Sequence, residues 1–394
     1  MIGKGVVSAI LTVPLLLTAA APARANAPTG WELNVMDVPE AHQSSQGDNI
    51  TVAVLDTGVV ATHPEFKGRV TSGPDFIGGG AKPGQSYWGK HGTAMASNVL
   101  SVAPKARVLS VRVIHDDEDP ARVDFTEAMK RLAETGKPSK AMLEGQRALS
   151  EGIRYAVDKG AKVISMSLGT DERNHFFSYQ EDVAAAVDYA IGKGVILLAG
   201  AGNGGRPHDS DSNNIVSYPA AHAGVLGVAA VSPEGRRAEF SQVRSYIAIA
   251  APGVGIRSAH NTGGYRVIQG TSPACALAAG AVALMLSRNP DLSPRQVRDI
   301  LVRTATKPPN GYTLFLGHGM VNADRAVRAA ATTKGAEPKA AAYEGEKHFG
   351  GGPVDSPIAH PPLDQEYLLI GGVGLGIGLL CFTGTFFLVR RRRA

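Results

Sequence analysis

Two regimes of apolar and polar spacing alternate along this chain. Short, nearly unbroken apolar runs recur as NITVAVLDTGV, ARVLSVRVI, AKVISMSLG, VILLAGAGN, VLGVAAVS and YIAIAAPG, each bounded by glycine or polar turn residues. Runs of this kind predict strands buried on both faces. Between them lie longer stretches with apolar residues three and four apart, LEGQRALSEGIRYAVDKG and QEDVAAAVDYAIGKG, which predict helices stopped by glycine. SPRQVRDILVRTA opens with Ser-Pro, a helix start signal, and VNADRAVRAAA closes the domain. Buried strands alternating with helices predict an α/β fold: a mostly parallel sheet with helices on both faces, hence three layers.

The ends break this pattern. Residues 1–25 hold a lysine, an apolar stretch and then Ala23-Arg24-Ala25, the pattern of a cleaved signal peptide. Residues 367–389 carry no charge and are long enough to span a bilayer as one C-terminal transmembrane helix. Arg390–Arg393 follow, and positively charged flanks stay on the cytoplasmic side. Residues 390–394 are therefore expected to be a cytoplasmic tail and residues 26–331 an extracellular domain held at the cell membrane. Residues 332–366, rich in Pro, Gly, Ala and Lys, have linker composition. Residues of about 115–141 are highly charged and interrupt the strand–helix alternation. They read as a surface insertion whose acidic cluster is either a solvated loop or a calcium ligand set.

Charge and cysteine content narrow the classes. The net charge of +5 is concentrated at the ends: Arg390–Arg393, Lys4 and Arg24 account for it, and the remainder carries −1. No basic surface for nucleic acid is implied. Of the two cysteines, Cys381 lies in the expected span and Cys275 just after Ser272, so no disulfide is expected and the domain must rely on its core. Cys275 reads as a small buried apolar residue, or less simply as a nucleophile.

In parallel sheets functional groups collect beyond the carboxyl ends of the strands. Asp56 follows VAVL, Ser167-Leu168-Gly169 follow VISM, Asn203 follows VILLAGAG, and Ser272 follows YRVIQGT; His91 opens the helix AMASNVL. Each residue alone has an ordinary reading: a turn aspartate, a surface histidine, a positive-φ asparagine, or a helix-capping serine. Together they hold the parts of nucleophilic catalysis. A serine hydroxyl needs a base to take its proton, histidine is that base near neutral pH, and aspartate orients the ring. Asn203's amide and Ser272's own N–H could stabilise a tetrahedral oxyanion. Pro273 is compatible with a helix starting at this serine, since first-turn N–H groups have no intrahelical partner.

The ordered motifs VAVLDTGV, HGTAMAS, SMSLG, AGAGN, AAPG and GTSPA resemble the subtilisin-like serine peptidases, over about residues 31–331. The resemblance implies a subtilisin-like three-layer fold and serine endopeptidase activity. It implies Asp56, His91 and Ser272 as catalytic triad, Asn203 with Ser272 as oxyanion hole, and Ser167, Leu168 and Gly169 as the segment pairing with substrate backbone. Pro273 and Ala276 depart from the family pattern after the serine. Signal, single protease domain, linker, span and basic tail together resemble the mycosins, membrane-anchored subtilases associated with type VII secretion. That layout implies polypeptide substrates and secretion-complex proteins as partners, and no large autocleaved pro-domain is expected. No cofactor is required; structural calcium is common in the family, but no site for it is assignable from these residues. GAGNGG at Gly200–Gly205 lacks the helix that a dinucleotide site needs, and VLDTGV lacks the second loop of an aspartic peptidase. A non-catalytic subtilase fold serving as a binding module of a membrane complex remains the alternative.

Overall fold

Along β1 (Thr51–Asp56), Val52 and Val54 pack into one apolar layer while Ala53 and Leu55 pack into the layer on the opposite side. That alternation is the period-2 geometry of a strand covered on both faces. In the computed structural model the described residues are 30–122, 134–135, 140–169, 179–205, 216–309 and 311–334, with positions 369 and 375. The leader read over 1–25, most of the linker read over 332–366 and the tail 390–394 lie outside the described residues. So does the span read over 367–389, apart from two isolated positions. Among the described residues one helix, Thr271–Arg288, is long and apolar enough to cross a membrane; 83% of that window is buried in the core.

The strands are β1, β2 (Val70–Asp75), β3 (Arg107–Arg112), β4 (Val163–Met166), β5 (Ile196–Gly200), β6 (Val225–Val231), β7 (Ile247–Pro252), β8 (Ile256–Ala259) and β9 (Tyr265–Ile268). The first seven form one sheet in the order β2-β3-β1-β4-β5-β6-β7, and β8 pairs with β9 alone. Every pairing in the large sheet is parallel. After β1 the chain runs out to the edge strand β2, comes back to place β3 between β2 and β1, and then lays β4 on the other side of β1. This reversal makes the carboxyl end of β1 and β4 a topological switch point, where parallel sheets open a crevice.

Helices Lys90–Val102 and Thr271–Arg288 pack on one face, and Lys140–Asp158 and Glu181–Gly192 on the other. The first two cross closely because Gly280 has no side chain: a Cβ there would lie 2.7 Å from Val102 Cβ and 2.9 Å from the Val99 carbonyl. Helix Pro294–Thr304 begins with the Ser293 capping box that its Ser-Pro signal predicts. The acidic stretch differs from expectation. Asp116 and Asp119 are each 4% exposed, so part of the expected solvated loop is built into the body of the protein.

Candidate active site

Several chain segments meet at the switch point, around a cleft of about 840 Å³. His91, Ser167, Leu168, Gly169, Asn203 and Ser272 all line it. Asp56, at the end of β1, is fully buried behind His91. All seven residues singled out from the sequence therefore converge on one sheet edge.

His91 is carried by the second residue of its helix, whose N-cap Gly89 adopts φ 67°. Gly92 lets this turn approach β1: a Cβ there would stand 2.1 Å from the Gly58 carbonyl oxygen and 3.2 Å from Asp56 Cβ. The Gly92 N–H donates to Thr57 Oγ1 at 3.1 Å, and Thr57 N–H donates to Asp56 Oδ1 at 2.7 Å. His91 Nδ1 lies 2.8 and 2.9 Å from the two Asp56 carboxylate oxygens. An ionised Asp56 makes Nδ1 the donor, leaving the Nε2 lone pair available. Burial pulls the His91 pKa down, but the Asp56 charge and hydrogen bond and the Asp116 charge outweigh it; the pKa is raised above the usual imidazole value.

Ser272 is the second residue of its helix, after N-cap Gly270, which offers no side-chain cap. The serine is thus inside the first turn and is not the cap. Asn203 supplies the missing acceptor: its Oδ1 takes the Thr271 N–H at 2.9 Å and the Thr271 hydroxyl at 3.0 Å. That leaves Nδ2, two donors, without a partner among the described residues. Pro273 falls in the same first turn, where its missing N–H costs nothing. The Ala-Pro-Gly stretch braces this turn, since Gly270 N–H donates to the Gly253 carbonyl at 2.8 Å. Ser272 Oγ donates to the Ser167 carbonyl at 3.1 Å, and Ser167 Oγ donates to the Ser272 carbonyl at 2.9 Å. Among the described residues no hydrogen bond joins Ser272 to His91, although both border the same cleft.

Cys275 is fully buried, 3.7 Å from Ser165 Oγ, and burial pushes its thiol up to about 11. It lies in the core rather than on the cleft, and such a thiol does not ionise to a nucleophile near neutral pH. Among the described residues no group of three or more His, Cys, Asp or Glu side chains is arranged to hold a metal ion.

Two cleft residues were not anticipated from the sequence. Asp116 accepts N–H bonds from both Lys90 and His91, and Arg266 of β9 donates to the Lys90 carbonyl at 3.1 Å. A carboxylate just beyond the end of β3 is where the strand-end rule would look. Within an acidic run, nothing distinguishes it from its neighbours.

The arrangement can orient an imidazole against a buried carboxylate, accept a proton from a hydroxyl in the same cleft, and offer N–H donors to an oxyanion. Comparison with known proteins agrees. The Subtilase family pattern matches residues 47–319. Subtilisin DY from Bacillus licheniformis is 34% identical over 304 residues, spanning 76% of this chain and 98% of that protein. Among solved structures, MycP1 from the ESX-1 type VII secretion system is 26% identical with a TM-score of 0.61, covering 75% of this chain and 85% of that one. MycP3 from the ESX-3 system is 28% identical with a TM-score of 0.61, covering 76% and 88%. The chain belongs to the subtilase family of serine endopeptidases, and mycosins are among its structural neighbours.

Proposed function

We propose that this chain is a membrane-anchored extracellular serine endopeptidase, mycosin-like, which processes secreted proteins or supports a type VII secretion system. In this reading His91 Nε2 takes the Ser272 hydroxyl proton as Oγ bonds to the substrate carbonyl carbon. Asp56 holds the ring's tautomer and stabilises the imidazolium. Asn203 Nδ2 and the Ser272 N–H receive the oxyanion. The C–N bond then breaks, its amine taking the proton from Nε2. Water repeats the cycle on the acyl-enzyme. Ser167–Gly169 pair with substrate backbone as an added strand.

The observation that carries this reading is the fully buried Asp56 carboxylate bonded through both oxygens to His91 at the back of the Ser272 cleft. The contact between Ser272 Oγ and the Ser167 carbonyl favours a second reading, a subtilase fold retained as a stabilising module of a membrane complex. Catalytic hydrogen bonds are commonly long or absent without substrate, and rotation about one serine side-chain bond re-aims the hydroxyl. Intact cells expressing the full chain decide between the two. The first reading expects hydrolysis of an impermeant peptide anilide that sediments with the membranes and is lost in Ser272→Ala. Correctly folded wild type with no hydrolysis would support the second.

A further inference from the structure

The helix carrying His91 begins without a cap of its own. Its N-cap is Gly89, which has no side chain to offer, so the first-turn N–H groups need acceptors from elsewhere. Asp116 supplies two: Oδ2 accepts the Lys90 N–H at 2.9 Å and Oδ1 accepts the His91 N–H at 2.9 Å. The acceptor lies 25 residues further along the chain than His91 and belongs to a different element. A carboxylate also suits the positive end of a helix.

Asp116 is itself held in place. Two residues along, Glu118 pairs with Lys90. Next to it, buried Asp119 accepts from Arg112 at 2.9 Å and from the N–H groups of Ala81 and Ala121, with His115 at 3.1 Å. Arg112 also bonds Asp75 at 2.6 Å. The start of the acidic segment is thereby fastened to β2 and β3, and Asp116 sits on a rigid support facing the His91 turn.

We propose that Asp116 is a positioning residue for His91: its carboxylate fixes the backbone that carries the imidazole and, opposed by Arg266, sets the charge environment in which the ring takes up its proton. The proposal rests on His91 being the general base. The charged groups that act on the ring are Asp56 from the end of β1, Asp116 from the segment after β3 and Arg266 from β9; Lys90, His115, Asp117, Glu118, Arg122 and Glu144 line the same cleft. Lys90 and Glu118 pair with each other. Asp56 and Asp116 favour the protonated ring and Arg266 disfavours it. Among the described residues Arg266 bonds the Lys90 carbonyl, and its Nε is buried without an acceptor. Asp56 and Asp116 thus divide the work: one orients the ring through Nδ1, the other holds the backbone to which the ring is attached.

The test is a histidine titration by NMR in full-length Ser272→Ala protein, which cannot digest itself, with the His91 signal identified by its loss in His91→Gln. Asp116→Asn is expected to move the His91 midpoint to lower pH, and Arg266→Gln to move it to higher pH. Asp116→Ser, which keeps a hydroxyl acceptor for the helix start but no charge, is expected to move it in the same direction as Asn. In Ser272-containing protein, Asp116→Asn shifts the acid limb of kcat/KM the same way and lowers plateau kcat roughly tenfold with little change in KM, the mark of a slightly displaced base. Unmoved midpoints in the folded Asp116 variants, or shifts of the same sign for Asp116 and Arg266, would overturn the proposal. Its failure is separable from failure of the catalytic reading, because the titration is read without turnover.

Discussion

Substituting Gly92 by alanine tests how tightly His91, the proposed general base, is seated. The added Cβ would stand 2.1 Å from the Gly58 carbonyl oxygen, with Asp56 Cβ 3.2 Å away on the same side. A carbon and a carbonyl oxygen approach to about 3.3 Å at rest, so the helix start must retreat by roughly 1 Å. The Gly92 N–H bond to Thr57 would stretch, and the 2.8 Å contact between His91 and Asp56 would lengthen with it. Overpacking of this size costs about 1–3 kcal/mol, and a displacement of about 1 Å at a catalytic group costs on the order of a hundredfold in rate. Gly92→Ala should therefore fold, unfold a few degrees lower, and show kcat/KM about a hundredfold below wild type on a chromogenic peptide. Gly192→Ala is the control: it ends an outer helix with nothing within 4 Å of the new Cβ, and should leave activity unchanged. A folded Gly92→Ala protein with activity near wild type would refute the claim that the His91–Asp56 geometry depends on this close approach.

Other outcomes follow from the same geometry. Asn203→Ala removes the amide of the proposed oxyanion hole, and should lower kcat by about 10²–10³ with KM nearly constant, the range measured for removal of an oxyanion-hole asparagine in subtilisin, a relative of this chain. A base must be neutral to accept a proton, and His91 binds its proton more tightly than a free imidazole. The acid limb of kcat/KM should therefore lie above pH 6.5, and a limb below that value would contradict the charge arrangement. His222 lies in the core against Tyr179 and Tyr218, and burial holds its pKa down to about 4. The folded protein thus resists protonation there, and stability is lost as pH falls from 6.5 toward 4, by up to about 3 kcal/mol at about 1.4 kcal/mol per pH unit. Chemical denaturation of wild type and His222→Gln across this range should show the wild type losing more.

The parts of the fold legible in the sequence were those whose environment is uniform. β1, β4, β5, β6 and β7 are buried nearly throughout, so their apolar runs stand out. β2 does not: VTSGPD is an edge strand with only its first residue buried, and it carries the glycine and proline that sheet edges tolerate. β9 alternates between exposed and half-buried positions and pairs only with β8, so its four residues give little pattern. At the site, Asp56 and Asn203 were readable because they follow recognisable strands, and His91 and Ser272 because they open small-residue helices. Ser272's place inside the helix turn was not, since it depends on Asn203 capping Thr271 from the loop after β5. Asp116 was hidden for a similar reason: its burial comes from a helix start that the local sequence does not contain.

The central claim is that Ser272, His91 and Asp56 act together on an acyl group. Its most direct test is reaction of the folded full-length protein with a serine-directed fluorophosphonate, followed by peptide mapping of the adduct. The account predicts one modified residue, Ser272, with labelling abolished in Ser272→Ala and strongly slowed in His91→Ala. Folded wild type that takes up no label, or carries it on a different residue, would contradict the account.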